Sequence, residues 1–240
     1  MSKLPNAPLR EVIFELKWKP SKQEFSEFQF FFSDLYSSLK SVYPERENLL
    51  PADIPVELTI GAPAFRFRAV EKGYPLYQIG QGILTFNVND ENYFKEQLFE
   101  SVEELLKSFA EAKKFTKIDN LKPTLTFIDF IDVDFSKNHI NDFINESFNI
   151  QVIQSFYPDN NPDDLNIDFS FAINHNKVSI QIKKGKLNKS RDGVALITKV
   201  IGEDMSLDPD KLIDWIKESQ EISSDLFKKI TQGGLYDSFK

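Results

Sequence analysis

Residues 11–18 read Glu-Val-Ile-Phe-Glu-Leu-Lys-Trp, and this stretch decides the class of fold. Every second residue is apolar, so one side of the extended chain carries Val12, Phe14, Leu16 and Trp18. Alternation with a period of two is typical of a strand that buries one face. The sequence therefore predicts a half-buried β-strand at this point.

A helix is predicted directly after this strand. Pro20 ends the strand, and Ser21 is a residue type that caps helix N-termini. Apolar residues then recur at spacings of three and four and define one Phe-rich face: Phe25, Phe28, Phe32, Leu35 and Leu39. The helix is expected to end before Pro44, because the residue that precedes a proline avoids helical geometry.

Short strands and a second long helix are predicted next. The strands are residues 56–60, 65–70, 76–79 and 83–88. Glycine-containing turns separate them, and such short connections join antiparallel neighbours. Asp90 is expected to open the second long helix, with Phe94 at the start of its buried face.

The rest of the chain follows the same order of elements. We predict a strand at 125–135, a helix at 139–148, strands at 167–173, 178–182 and 194–201, and a final helix after Asp208-Pro209. The sequence thus predicts an α+β fold in which long helices cover one or two antiparallel sheets. Two similar strand-helix-strands-helix halves, residues 1–118 and 119–240, would be fused into one globular unit by internal duplication.

Composition excludes several classes of function. The chain has 240 residues, of which 41% are hydrophobic and 28% charged, as in ordinary globular proteins. It contains no cysteine, which excludes disulfides, thiolate metal sites and a cysteine nucleophile. Its net charge of -8 disfavours nucleic acid, and we interpret the basic run at 183–186 as a solvated hairpin tip.

The same inspection predicts a soluble protein without a cofactor. The apolar runs are far shorter than a membrane span, so no membrane partner is expected. The opening residues 1–5 lack the apolar stretch of a signal peptide, and we therefore expect a cytoplasmic protein.

Isolated titratable residues do not assemble into a recognisable catalytic or metal centre in the sequence. We interpret His139 and His175 as surface histidines, because neither has a positioned partner. Asp129, Asp132 and Asp134 lie on one predicted strand, and Asp129 shares its apolar face. It is either functional, a charge at the strand end, or bonded to a neighbouring arginine. The acidic run from Asp159 does not match a calcium loop, since Asp164 stands where glycine is needed. No catalytic, cofactor-binding or metal-binding residues are predicted.

One constellation of charges suggests a ligand. Glu11, Glu15 and Lys17 project from one strand face, and Arg66 and Arg68 lie two residues apart on another strand. Inward-facing charges of this kind bind triphosphate in β-tunnel enzymes through metal-bound carboxylates. Those enzymes resemble this chain in an opening E-x-E-x-K pattern, but Ile13 replaces the middle carboxylate here. The alternative is the solvated side of an antiparallel sheet, which produces the same alternation.

The N-terminal segment resembles a family of sporadically distributed bacterial proteins of uncharacterised activity. Residues 5–17 read Pro-Asn-Ala-Pro-Leu-Arg-Glu-Val-Ile-Phe-Glu-Leu-Lys and fit the family's opening, P-x-A-P-L-x-E-V-x-F-x-L-[RK]. The final helix, 212–230, and the short tail at 231–239 resemble the family's ending. The resemblance implies a bacterial protein and transfers no catalytic residue.

The favoured hypothesis is a binding protein, not an enzyme, that recognises a protein or peptide partner. The alternative is a metal-dependent triphosphate-binding or phosphohydrolase β-tunnel built on Glu11, Glu15, Lys17, Arg66 and Arg68. We also expect a homodimer, because exposed strand edges pair copies readily and two-fold dimers are the commonest oligomers. A duplicated chain would argue against this, since it supplies within one copy what a dimer supplies between two.

Overall fold

A computed structural model describes residues 4–51, 54–113, 118, 120–157, 160–231 and 233–240. The strands are β1 (Leu9–Lys17), β2 (Glu45–Asn48), β3 (Phe65–Arg68), β4 (Leu76–Gly80), β5 (Ile83–Asn89), β6 (Lys122–Asp132), β7 (Asn166–Ile173), β8 (Asn176–Leu187) and β9 (Arg191–Ile201). The α-helices are α1 (Lys22–Leu39), α2 (Lys95–Ala112), α3 (Ile140–Ser147), α4 (Pro209–Ile230) and α5 (Gly234–Asp237).

The strands form one nine-stranded antiparallel sheet in the order β2-β3-β4-β5-β1-β6-β9-β8-β7. Strands β2 and β7 are therefore its two end strands. The predicted α+β class with an antiparallel sheet is confirmed. The internal duplication and the division of the chain at residue 118 stay predictions.

Contacts divide the chain into two compact units. Unit 1 contains the residues up to Glu11, Thr126–Val200 and Ser219–Lys240, and unit 2 contains Val12–Leu125 and Ile201–Glu218. A buried core cluster of unit 1 is mostly aliphatic and contains, beside Phe148 and Phe239, Ile131, Val133, Ile140, Ile144, Ile180, Ile182, Val194 and Leu196. Unit 2 packs many aromatic rings, including the buried Phe28, Phe31, Phe32, Phe67, Tyr77, Phe86 and Phe109.

Aromatic stacking links α1 to the sheet of unit 2. The ring of Phe32 stacks on Phe65 with centroids 4.2 Å apart, and Phe67 stacks on Tyr77 at 4.7 Å. Tyr77 in turn meets the edge of Tyr43 at 5.2 Å. Burial raises the pKa of Tyr43 to about 12, with a further contribution from the charge of Glu104. The Phe-rich helix face predicted from the sequence is thus the face that packs on the sheet.

Three predicted features differ from the structure, and one strand was not predicted. Residues 56–60 were expected to form a strand, but Val56–Thr59 is a 3-10 helix. Strand β2 was not predicted, because all its residues are polar and exposed. Asp90 opens only a short 3-10 turn, and Phe94 is 50% exposed at the N-cap of α2. Gly185, expected in a turn, lies within β8.

The C-terminal helix is predicted to depend on Trp215, which is 8% exposed. A Cβ atom on Gly202 would lie 2.7 Å from the indole Nε1 and 2.8 Å from Cγ of Pro123, so the ring packs directly against Gly202 and leaves no room for a side chain there. Trp215→Ala should lower the free energy of unfolding by about 3–5 kcal/mol. Chemical denaturation measures this, with Phe94→Ala as the exposed-aromatic control. An unchanged midpoint for Trp215→Ala would contradict a core role for the helix.

Candidate functional site

The predicted arginine pair lies on one face of β3, where both side chains already have protein partners. The Nη1 atom of Arg66 contacts Glu47 Oε2 at 3.1 Å, and its Nε and Nη2 atoms donate to Gln78 Oε1 at 3.3 and 3.2 Å. Arg68 donates to the carbonyl of Gly73 at 2.8 Å and lies 3.8 Å from the same Glu47 carboxylate. The guanidinium groups are therefore occupied within a polar network on the sheet.

This network continues across the neighbouring strands. The side-chain amide of Gln78 donates to Thr85 Oγ1 at 3.2 Å, and Thr85 donates to Asn87 Oδ1 at 2.9 Å. Thr85 and Asn87 are buried. Their polar atoms would destabilise the folded state if they had no hydrogen-bond partners, and this network supplies such partners. The arrangement stabilises one face of the sheet and does not by itself define a ligand site.

The predicted charges on β1 are separated from the arginines. Glu15 and Lys17 pair with each other at 3.0 Å. Strands β5 and β4 lie between β1 and β3 in the sheet, which places the strands about 14 Å apart at the usual spacing. Glu11 is half-buried on β1 and belongs to unit 1. The structure thus brings Arg66 and Arg68 together and Glu15 and Lys17 together, as two separate pairs.

The two histidines lie at the surface, and two of the aspartates on the same strand region have partners within the protein. His139 is the exposed N-cap residue of α3, and His175 is exposed in the turn that joins β7 to β8. Asp132 forms a two-pronged ion pair with Arg191. Asp134 accepts hydrogen bonds from the hydroxyl and backbone N–H of Ser136, which hold the pKa of its carboxyl below the ordinary value.

Asp129 is buried on β6, with 5% of its surface exposed. Within the described residues, no three or more histidine, aspartate or glutamate side chains come together as a metal site. Asp159, considered for a calcium loop, lies outside the described residues. None of the helices in the described part of the chain has the length and apolar character that crossing a membrane requires.

Among the ion pairs that the described residues form, the most deeply buried joins Glu24 of α1 to Lys113, the residue after α2. Their side chains are 5% and 4% exposed, and Nζ of Lys113 donates to Glu24 Oε1 at 3.0 Å. Burial lowers the pKa of Lys113, while the hydrogen bond to Glu24 acts in the opposite direction. The ammonium group also lies 4.1 Å from the ring centroid of Phe31.

The Glu24 carboxylate has two further donors. The indole Nε1 of Trp18 donates to Oε1 at 3.1 Å, and the backbone N–H of Ser21 donates to Oε2 at 2.7 Å. Since the carboxylate and the ammonium are both enclosed and hydrogen-bonded, this pair supports the fold and has no open side for a substrate. A perturbed lysine can mark a catalytic site, but here its partners indicate a structural role.

The two most exposed large apolar side chains of the described residues, Phe156 and Ile153, lie in one loop between α3 and β7. Residues 153–157 are Ile-Gln-Ser-Phe-Tyr, and we call this segment the apolar loop. Ile153 is 84% exposed, Phe156 89% and Tyr157 62%. Scattered exposed apolar residues are ordinary, but three within five residues of one uncharged loop are an unusual concentration.

Side-chain amides hold the apolar loop in shape. At its base, Asn145 of α3 accepts from the backbone N–H of Val152 at 2.6 Å and donates to the Val152 carbonyl at 3.1 Å. At its tip, the amide of Gln154 donates to the carbonyls of Tyr157 and Asn160 at 2.7 and 3.1 Å. The backbone N–H of Tyr157 donates back to Gln154 Oε1 at 3.0 Å.

Packing fixes both ends of the segment that carries the apolar loop. Val152 packs against the core of unit 1 before the loop, and Leu165 packs against it afterwards. Nζ of Lys184 donates to the carbonyl of Asp163 at 2.7 Å. The exposed side chains thus project from a loop that hydrogen bonds and packing hold in place.

Sequence reasoning missed the apolar loop. Its signal is Phe156-Tyr157 in a stretch where neither helical nor strand periodicity occurs, between polar and proline-containing residues. Where apolar residues do not recur with a helical or strand period, the sequence predicts no buried face for them. The lack of periodicity around Phe156 and Tyr157 could therefore have indicated that their side chains are exposed.

Neither a family model, nor a curated protein, nor a solved structure matches the chain. The resemblance of residues 5–17 to the bacterial family described above therefore stays a prediction.

We predict that Lys113→Met lowers the free energy of unfolding by about 3–5 kcal/mol, because it leaves the Glu24 carboxylate buried without its cation. Adding Glu24→Gln should recover part of this loss, since the neutral amide needs no counter-charge and its one oxygen can still accept from Trp18 or from Ser21. Urea unfolding of the single and double variants tests both statements. A double variant less stable than Lys113→Met alone would refute the charge explanation.

Proposed function

We propose that the protein is a binding protein whose apolar loop inserts Phe156 into an apolar pocket on a partner protein. The observation that carries this proposal is an ordered, uncharged loop that leaves three large apolar side chains in water. Its partner surface would be concave and apolar, with room for an aromatic ring.

The energetics of interfaces favour such an anchor. A few residues supply most of the binding free energy, and aromatic side chains are enriched among them. The folded chain leaves Phe156 and its neighbours exposed to water. Burying their apolar surface against a partner would therefore contribute a favourable hydrophobic free energy to binding. Tyr157 adds a hydroxyl that can keep a polar contact at the rim of the interface.

The hydrogen bonds of Asn145 and Gln154 lower the cost of binding. A loop that must be ordered on association loses conformational entropy, and this loss weakens the complex. The contacts made by Gln154 fix the turn that presents Phe156, so much of that cost is met on folding. This distinguishes the apolar loop from a flexible segment with the same composition.

The proposed setting is a bacterial cytoplasm. The resemblance of the N-terminal segment supports a bacterial source, and the absence of cysteine is compatible with a reducing compartment.

Affinity capture tests the proposed function. The immobilised chain should retain a specific protein from a lysate of the source organism. Phe156→Ser should weaken the purified complex about 10- to 1000-fold, the range expected for loss of a central anchor. Gln154→Ala should weaken it less, because it loosens the loop without removing the anchor.

Phe30→Ser is the matched control, since Phe30 is 73% exposed on α1, far along the chain from the apolar loop. It should retain the same protein with unchanged affinity. Equal retention by the wild type and by Phe156→Ser would overturn the proposal.

The triphosphate alternative is tested separately by thermal unfolding with magnesium and ATP. We expect the melting temperature to change by less than about 1 °C, because a ligand stabilises only the folded state it binds. Our reason is that Arg66 and Arg68 already have partners in Glu47, Gln78 and Gly73. A rise of several degrees that Arg66→Gln abolishes would instead support the β-tunnel reading.

A further inference from the structure

The two end strands of the sheet differ in how they are protected from pairing with another chain. Strand β2 has only four residues, all exposed, and its first three are charged: Glu45, Arg46 and Glu47. Short, charged edges of this kind resist association. Strand β7 has eight residues, Asn-Ile-Asp-Phe-Ser-Phe-Ala-Ile, with Asp168 as its one charged residue. Strand β7 therefore lacks the protection that β2 has.

The backbone of β7 offers a regular set of hydrogen-bonding positions that do not face β8. Its pairing with β8 extends from Asn166 opposite Lys183 to Ile173 opposite Asn176. The N–H of Lys184 donates to the carbonyl of Leu165, and hydrogen-bonded pairs then recur at every second residue. The residues that turn their N–H and C=O groups away from β8 are consequently Asn166, Asp168, Ser170 and Ala172.

The single charge on β7 is held back on the sheet face. Asp168 accepts a hydrogen bond from the side chain of Asn166 at 2.7 Å and another from Gln181 at 2.8 Å. Both donors lie on β7 and β8, so the carboxylate stays within the sheet. It is not directed to the open edge by these contacts.

The opposite face of β7 carries an apolar row that extends beyond its cover. Ile167 and Phe169 pack against the core of unit 1. Phe171 stacks on Phe169 with centroids 6.1 Å apart and remains 46% exposed. A strand added beside β7 would bury this ring.

We infer that the occupant of the β7 edge is a second copy of this chain, which joins its own β7 antiparallel across a two-fold axis. Because outward-facing residues must pair with outward-facing residues, the axis lies beside a residue and not between two. The two registers that pair most of β7 place it beside Phe169 or beside Ser170. The first places Phe169 opposite Phe169 of the second copy, and Ile167 opposite Phe171. The second places Phe169 opposite Phe171.

Both arrangements match apolar residues with apolar residues along the row. Asp168 meets Ser170 in the first arrangement and Ala172 in the second, so the two carboxylates never face each other. The strand is therefore complementary to itself in charge and in apolar pattern, which cross-strand pairing favours. The resulting dimer continues one sheet through both copies and removes the unprotected edge.

Sedimentation equilibrium tests this inference. The wild type should show a mass of twice 27.8 kDa at micromolar concentrations. Phe171→Lys, which places a charge in the apolar row of both copies, should raise the dimer dissociation constant at least about tenfold. Ser170→Pro removes an outward N–H and should act in the same direction. Phe30→Lys, an exposed aromatic on α1, should leave the mass unchanged.

Crosslinking gives a second measurement that does not depend on destabilising variants. The chain has no cysteine, so Ser170→Cys introduces a single thiol on the β7 edge. A bismaleimide of about 8 Å, the span of opposite and diagonal positions in an antiparallel pair, should link two copies. Asn48→Cys on the β2 edge should stay uncrosslinked.

A monomer at 100-fold varied concentration would overturn the inference, and so would a dimer that Phe171→Lys and Ser170→Pro leave intact. A monomer that binds a strand of another protein at β7 would also overturn the inference. The dimer and the proposed partner binding fail separately, because Phe156→Ser should retain the dimer and Phe171→Lys should retain the captured partner.

Discussion

The carboxylate of Glu24 is the interaction on which unit 2 depends. It accepts hydrogen bonds from the indole N–H of Trp18 after β1, from the backbone N–H of Ser21 at the start of α1 and from the ammonium group of Lys113 after α2. One side chain thus joins the neighbouring ends of β1 and α1 to Lys113 after α2, which lies 89 residues further along the chain. An enclosed carboxylate tolerates few alternative positions, because each lost donor leaves charge uncompensated in a medium of low dielectric constant. The aromatic contacts around it can then pack in a single arrangement.

Patterns in the sequence predicted elements where periodicity reports burial. Strand β1 and the Phe-rich face of α1 are examples, since their apolar residues recur because one side meets the core. The pattern misled at 56–60, where Val56–Thr59 is a 3-10 helix and the apolar Leu58 and Ile60 are 78% and 48% exposed. Strand β2 was invisible because its pairing with β3 depends on backbone hydrogen bonds and carries no apolar signature.

The candidate site could be predicted from the sequence less well than the fold. Alternating charges on β1 and β3 suggested a shared ligand, but sequence spacing does not report that two strands intervene in the sheet. The apolar loop was missed for the converse reason. Its order depends on side-chain amides, such as that of Asn145, that reach backbone groups several residues away. Such contacts require a three-dimensional arrangement and leave no periodic trace.

The composition of the two units has a consequence for how the chain folds during synthesis. Unit 1 combines residues up to Glu11 with Thr126–Val200 and Ser219–Lys240, while unit 2 takes Ile201–Glu218 from between those last segments. A ribosome releases residues in order. The segment up to Glu11 therefore cannot make its contacts within unit 1 until residues more than 100 positions later have been synthesised. Contacts of such long separation form slowly, and exposed strands are open to aggregation in the interval. Holding β1 beside β5 within unit 2 while the remainder is made would shorten that exposure.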